Sequence, residues 1–173
     1  MMEVNLRTLT PLWTGDVDRD SSRIKETGIV GSLRWWYEAW VRHMGGYACD
    51  PTSDDRCVCK EGLSSICHVC RFFGCTGWSR KFRIEGTGIE TVPLFFVSSL
   101  SSNRWWLSKI SENQRNALYG QASLKLTGLD REVENTLLAT LWLIAEYGGL
   151  GAKSQNGYGQ IHLENIDMNK VSD

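Results

Sequence analysis

Tyr147-Gly148-Gly149-Leu150-Gly151-Ala152-Lys153-Ser154-Gln155-Asn156-Gly157-Tyr158-Gly159 separates an apolar helical pattern from a short alternating one. Five glycines lie between positions 148 and 159, so this backbone can turn through positive φ and approach a ligand closely. Lys153, Ser154, Gln155 and Asn156 put donors at its centre. Successive N–H groups in such a loop can form a concavity for a phosphate. The loop is not a Walker loop, because no Gly-Lys-Ser/Thr follows a four-residue gap after glycine. Nor is it a dinucleotide fingerprint, which needs a strand before it and a helix after it. A helix cap running into a turn explains Gly148 and Gly149 but leaves the later glycines and polar residues unexplained.

Working outward from this loop gives the order of elements. Before it, Val133, Leu137, Leu141 and Ile144 form one stripe of a helix over about 131–147, with Asp130 as N-cap and Gly148 as its end. After it, Ile161 and Leu163 alternate with Gln160, His162 and Glu164, the period of a strand. Upstream, Val4 and Leu6 alternate with polar neighbours, as do Phe82 and Ile84, and Ala122, Leu124 and Leu126. A further strand is expected at Leu94 to Ser98 and a short helix around Ser111 to Tyr119.

Ser32 is expected to cap a first helix running to about Met44. Its buried stripe would be Leu33, Trp36, Tyr37, Trp40 and Met44. Trp35 then falls roughly 160° away, among Arg34, Glu38 and Arg42. An indole there either packs under a loop of the same chain or stacks on a base. The resulting order, strand, helix, two strands, helix, strand, is an α+β ferredoxin-like βαββαβ module. It is read as a single domain over 1–173, with an insertion at 45–78.

The insertion holds all six cysteines, Cys49, Cys57, Cys59, Cys67, Cys70 and Cys75. Cys67-His68-Val69-Cys70 is a CxxC knuckle and Cys57-Val58-Cys59 a second pair. Thiolates at such spacing bind one tetrahedral zinc ion. Cys57, Cys59, Cys67 and Cys70 are the expected ligands, with Cys49 or Cys75 as substitutes. Structural zinc is placed ahead of disulfides, and free buried cysteines are the third reading.

Hydrophobic residues make up 42% of the sequence, enough for a core, and the net charge is −1. That charge argues against indiscriminate nucleic-acid binding. Bases nevertheless concentrate at 19–25, 34–42 and 71–83, so one face can be basic. Eight tryptophans include Trp35-Trp36-Trp40, Trp105-Trp106 and Trp142. No run of 18 apolar residues spans a membrane, and no apolar leader opens the chain, so a cytoplasmic protein is expected. His43, His68 and His162 are the three histidines. His43 is the one candidate for acid–base work on RNA, against the plainer reading of a histidine favoured by a helix C-terminus.

Three segments resemble RAMP-superfamily CRISPR proteins, in particular the first-subunit group of Cmr (type III-B) effector complexes. They are Thr10-Pro11-Leu12-Trp13-Thr14-Gly15, Gly31-Ser32-Leu33-Arg34-Trp35-Trp36-Tyr37-Glu38-Ala39-Trp40, and Cys67 through Trp78. The loop at 148–159 is similar to that superfamily's C-terminal glycine-rich loop. The resemblance implies a non-catalytic subunit that holds CRISPR guide RNA. Its implied partners are guide RNA, target RNA, the other Cmr-complex subunits and a separate second RAMP module, with no membrane. By position it implies RNA contacts at Trp13, Arg34, Trp35, Gly149, Gly151, Lys153, Ser154, Gln155 and Asn156. Arg23 and Lys25 are added from the charge pattern. Family members usually carry two such modules in tandem, so this chain is expected to be a short or split version. The runner-up is a metal-independent endoribonuclease of the same superfamily acting on CRISPR precursor RNA.

Overall fold

The structure, a computed structural model, describes residues 1–14, 21–60, 62–93, 116–128 and 130–166. The strand expected at Leu94–Ser98 and the Trp105-Trp106 pair lie outside them. Strand β1 spans Met2–Thr8, helix α1 Glu26–His43, helix α2 His68–Phe73, β2 Arg83–Thr87, β3 Glu90–Pro93, β4 Asn116–Tyr119, β5 Gln121–Thr127, helix α3 Arg131–Tyr147 and β6 Ile161–Leu163.

Four strands form an antiparallel sheet in the order β2-β5-β1-β6. This is the ferredoxin-like arrangement, in which the third core strand is threaded between the first two. Alternation fixes the register. Val4, Leu6 and Thr8 of β1 and Ala122, Leu124 and Leu126 of β5 are buried. Glu3, Arg7, Gln121 and Lys125 point the other way and are exposed. Helix α3 buries Val133, Leu137, Leu141 and Ile144 against the apolar face. At roughly 1.5–3 kcal/mol per buried aliphatic side chain, this stripe is enough to dock the helix. The Asp130 carboxylate accepts the Val133 N–H at 2.8 Å, as the cap reading requires.

β2 and β5 continue past Gly88 and Gly120 into β3 and β4, which form a separate two-stranded ribbon. The register shifts by one residue there, from Thr87↔Ser123 to Glu90↔Tyr119. Gly120 (φ +115°) takes the bend. The helix expected to reach Tyr119 is therefore replaced at 116–119 by a strand. Its pairing with β3, and with Leu12 through Leu12↔Leu118, overrides local propensity.

Helix α1 begins at Glu26, not after Ser32. The Lys25 N–H donates to the Thr14 hydroxyl at 3.1 Å, so a contact from 11 residues upstream sets the start. The buried stripe also differs. Ile29 and Leu33 are fully buried, Trp36 and Tyr37 half-buried, while Trp40 (41% exposed) and Met44 (71% exposed) overhang the core. The insertion is less peripheral than its composition suggests. Ile66, Val69, Phe72 and Phe73 are buried, and Phe73 packs edge-on against Phe82 at 5.4 Å between ring centres.

Candidate nucleic-acid interface and cysteine cluster

The sheet's open face carries Glu3, Asn5, Arg7, Arg83, Glu85, Gln121, Ser123, Lys125 and His162. Lys125 lies in register with both Glu3 and Glu85, so charges of opposite sign are neighbours across the strands. No Phe, Tyr or Trp is among these outward residues. The aromatic sheet platform on which some RNA-binding modules stack bases is therefore absent from them. That leaves the loops at the edge of the sheet.

Residues 9–13 run as a rail beside the glycine-rich loop. The Leu9 N–H donates to the Gln160 carbonyl at 2.7 Å, Gly159 N–H to Pro11 carbonyl at 2.9 Å, and Ala152 N–H to Trp13 carbonyl at 2.8 Å. Within the loop, Leu150 N–H donates to Gly159 carbonyl at 2.8 Å. Gly151 N–H donates to the Ser32 hydroxyl at 3.1 Å, so Ser32 anchors the loop to α1 instead of capping the helix. These amides are committed to the fold. The glycines follow from the same closeness. A Cβ on Gly151 (φ +82°) would lie 2.6 Å from the Trp13 carbonyl oxygen, and one on Gly148 would strike the Trp36 ring. Gly148 ends α3 with φ −153° and ψ −139° and lies directly against that indole.

Beyond these anchors the chain turns outward. Lys153 adopts left-handed φ +64°, the one non-glycine residue among those described to do so. Its ammonium lies 4.2 Å from the centre of the Trp13 ring, which is buried. Ser154, Gln155 and Asn156 follow as one exposed 3₁₀ turn. On the other flank, the Thr14 hydroxyl donates to the Arg23 carbonyl at 3.3 Å, and the Thr14 N–H donates to the Ser21 hydroxyl at 3.1 Å. Thr14 thereby delivers exposed Arg23 and half-buried Lys25 to the N-terminal end of α1. The helix dipole adds partial positive charge at that end.

The structure thus gathers Trp13, Arg23, Lys25, Gly149, Gly151, Lys153, Ser154, Gln155 and Asn156 along one edge. Trp35, three residues after Ser32 on α1, is 61% exposed and meets Trp36 edge-on at 5.3 Å. Arg34 is not gathered there. Its guanidinium donates to Glu38 at 2.8 Å, to the Gly74 carbonyl at 2.9 Å and to the Cys70 sulfur at 3.4 Å. Sequence reasoning missed Thr10 and Ser32 as supports of the loop, whose hydroxyls accept the Gln160 and Gly151 N–H groups, and Thr14 as the brace of the α1 start. Ser32 and Thr10 act across 119 and 150 residues of sequence, so no local signal marks them.

At the far end of α1, Trp36, Ala39, Trp40, His43, Met44, Leu143 and Tyr147 line an open groove of about 560 Å³. His43 sits on its exposed wall.

The cysteine set differs from the expected one. The sulfurs of Cys49, Cys57, Cys67 and Cys70 all lie within 4.8 Å of one another, and Cys59 is not among them. Around Cys59 the backbone is tied down, with Val58 bridging Thr76 and the Cys59 N–H donating to the Thr76 carbonyl at 2.8 Å. Cys49, not Cys59, fills the fourth place beside Cys57. The Cys59 thiol donates instead to the Gly62 carbonyl at 3.5 Å. Tetrahedral coordination with ~2.3 Å metal–sulfur bonds separates the sulfurs by about 3.8 Å. The 3.5 Å between Cys49 and Cys70 suits that geometry and exceeds the ~2.05 Å of a disulfide. Burial pushes the Cys57 thiol up to about 11 and the Cys70 thiol up as well. At Cys67 burial acts in the same upward sense, but hydrogen bonds from the Cys49 and Cys70 backbone and thiols outweigh it and leave it lowered to about 7. The donor set fits a soft or borderline cation with a preference for sulfur.

Among the described residues, no helix is long and apolar enough to cross a membrane. A family model described as the RAMP superfamily matches residues 5–162. A curated relative, the CRISPR system Cmr subunit Cmr1-2 of Pyrococcus furiosus, is 23% identical, with 92% of this chain and 93% of that protein covered. The crystal structure of apo Cmr1 from Pyrococcus furiosus aligns with TM-score 0.63 and 16% identity over 96% of this chain. A chain of the type III-B Cmr-beta structure bound to cognate target RNA and AMPPnP aligns with TM-score 0.52 and 13% identity over 99%. A Cas6 product complex aligns with TM-score 0.52 and 16% identity over 94%. The chain spans nearly all of the curated relative but only 50%, 56% and 51% of those three solved chains.

Proposed function

The chain belongs to the RAMP superfamily, and from that premise we propose that it is a non-catalytic guide-RNA-binding subunit of a cytoplasmic type III-B CRISPR effector complex. The observation that carries this reading is the joining of the Thr10–Thr14 rail, the N-terminal end of α1 and the glycine-rich loop along one edge. RNA phosphates lie against Lys153, Arg23, Lys25 and the polar turn at Ser154, Gln155 and Asn156. Gly149 and Gly151 serve by letting that turn project, and the Gly151 amide is already given to Ser32. Exposed Trp35 offers a π-face on which an unpaired base stacks. Target RNA pairs with the guide, and the other complex subunits and a separate second RAMP module complete the assembly. Zinc on Cys49, Cys57, Cys67 and Cys70 is structural: it ties the insertion together, and no step of RNA chemistry passes through it.

Purified chain is titrated with CRISPR repeat RNA in EDTA across a salt series. The expected result is binding that weakens steeply with salt and no cleavage. Cleavage that His43→Ala removes overturns this reading in favour of a metal-independent endoribonuclease. Salt-independent or undetectable RNA binding overturns it in favour of a protein-only adaptor.

A further inference from the structure

We propose that Arg34 is a positioning residue for the four-cysteine metal centre and not an RNA contact. The inference rests on the metal reading above. Three acceptors already occupy its guanidinium: Glu38 at 2.8 Å, the Gly74 carbonyl at 2.9 Å and the Cys70 sulfur at 3.4 Å. Its side chain is 19% exposed and that of Glu38 is 7% exposed, so this network is largely shielded from water. Arg42, one turn beyond Glu38, donates to the Ala48 and Cys49 carbonyls at 3.2 and 3.1 Å. Two arginines on one face of α1 thus hold the chain at two of the four ligands, Cys49 and Cys70, with buried Glu38 between them.

Charge explains the arrangement. Four thiolates around a divalent cation carry a net charge of −2, and three of the four cysteines are buried. Such a centre needs nearby donors. A rigid planar fork can donate to a sulfur, a carbonyl and a carboxylate at once, which an ammonium cannot do in one geometry. Arg34 therefore offsets thiolate charge and locks the centre to α1. The neighbouring Trp35 is presented from the same turn, so the metal centre fixes the helix that carries the stacking surface.

The test loads the full chain with zinc and follows metal transfer to a chromophoric chelator for parent, Arg34→Lys and Arg34→Met. Loss of an outer-shell partner lowers metal affinity by about 10- to 100-fold. Arg34→Met should fall in that range, with Arg34→Lys between it and the parent. In the cobalt-loaded proteins, Arg34→Met should keep the four-thiolate charge-transfer band but move it to lower energy, because the sulfur loses a hydrogen bond. Equal metal retention and unshifted spectra in parent and Arg34→Met overturn the proposal. Unchanged metal retention with lost repeat-RNA affinity returns Arg34 to the RNA site. A parent chain that binds neither zinc nor cobalt overturns the metal reading itself and leaves the RNA reading standing.

Discussion

The Lys153 ammonium sits 4.2 Å from the centre of the Trp13 ring, and Ala152, the residue before it, donates its N–H to the Trp13 carbonyl. One contact holds the loop's backbone and the other holds its charge. The two roles separate by mutation. Lys153→Gly removes the ammonium and relieves a left-handed lysine, so loss of ~0.5–1 kcal/mol of cation–π attraction is offset by relief of strain. Urea unfolding should change by less than about 1 kcal/mol, while the salt slope of RNA binding drops by about one. An unchanged slope would remove Lys153 from the phosphate path. Trp13→Ala should instead unfold the rail, at a cost of ~3–5 kcal/mol.

Gly151 and Gly157 have nearly the same backbone, φ +82° and +83°, and opposite surroundings. A Cβ at Gly157 meets open space, whereas one at Gly151 meets the Trp13 carbonyl oxygen at 2.6 Å and a Leu12 methyl at 2.9 Å. Both alanine variants bear the left-handed cost of ~1 kcal/mol. Gly151→Ala should lose at least ~1–3 kcal/mol more, because packing cannot yield around backbone. Denaturation midpoints of the two variants check this directly. Equal midpoints would mean the loop is not pinned to the rail.

What the sequence revealed depended on the range of the interactions concerned. Helix α3 could be read from end to end, because Asp130 caps it locally and Val133, Leu137, Leu141 and Ile144 share one turn-by-turn stripe. The start of α1 could not, since Thr14 fixes it from outside and frees Ser32 to hold Gly151. β4 was hidden for the same reason: Leu118 pairs with Leu12 and Thr91, both far off in sequence. In the cysteine cluster the CxxC half was plain, while the CxC half misled. The CxC spacing carries no sign that Cys49, eight residues before Cys57 in sequence, completes the centre in place of Cys59. The clustering of Trp13, Lys153 and the α1 start followed from the order of motifs, but the diversion of Arg34 toward Cys70 did not.

The place of Cys49 in the ligand set gives the cysteines a test of their own. Cys49→Ser should lower zinc content and free the insertion, detected as early proteolysis around 50–66. Cys59→Ser should leave metal content and melting unchanged, since its thiol makes only a 3.5 Å contact to Gly62. Metal analysis of the two variants beside the parent decides between the two ligand sets. Loss of metal in Cys59→Ser with retention in Cys49→Ser would reinstate the CxC reading.

Asp130 links stability to pH. The Val133 backbone N–H first, and then nearby Lys81, favour the ionised carboxyl and hold it below its ordinary value in the folded chain. A carboxyl lowered on folding binds fewer protons in the native state than in the unfolded one. Its stabilising effect is therefore complete above the unfolded carboxylate pKa near 4 and is lost as pH falls through the lower folded value. Asp130→Ala should melt earlier than the parent at pH 7. The gap should shrink as pH drops below about 4 and on through the lower folded value, where the parent's carboxylate takes up its proton. Asp130→Asn, which still offers an oxygen to the Val133 N–H, should melt between the two at pH 7 and show a weaker acid dependence. Melting curves of the three proteins at pH 7 and pH 3 test the sign, and a gap that widened in acid would show that the cap is not held by charge.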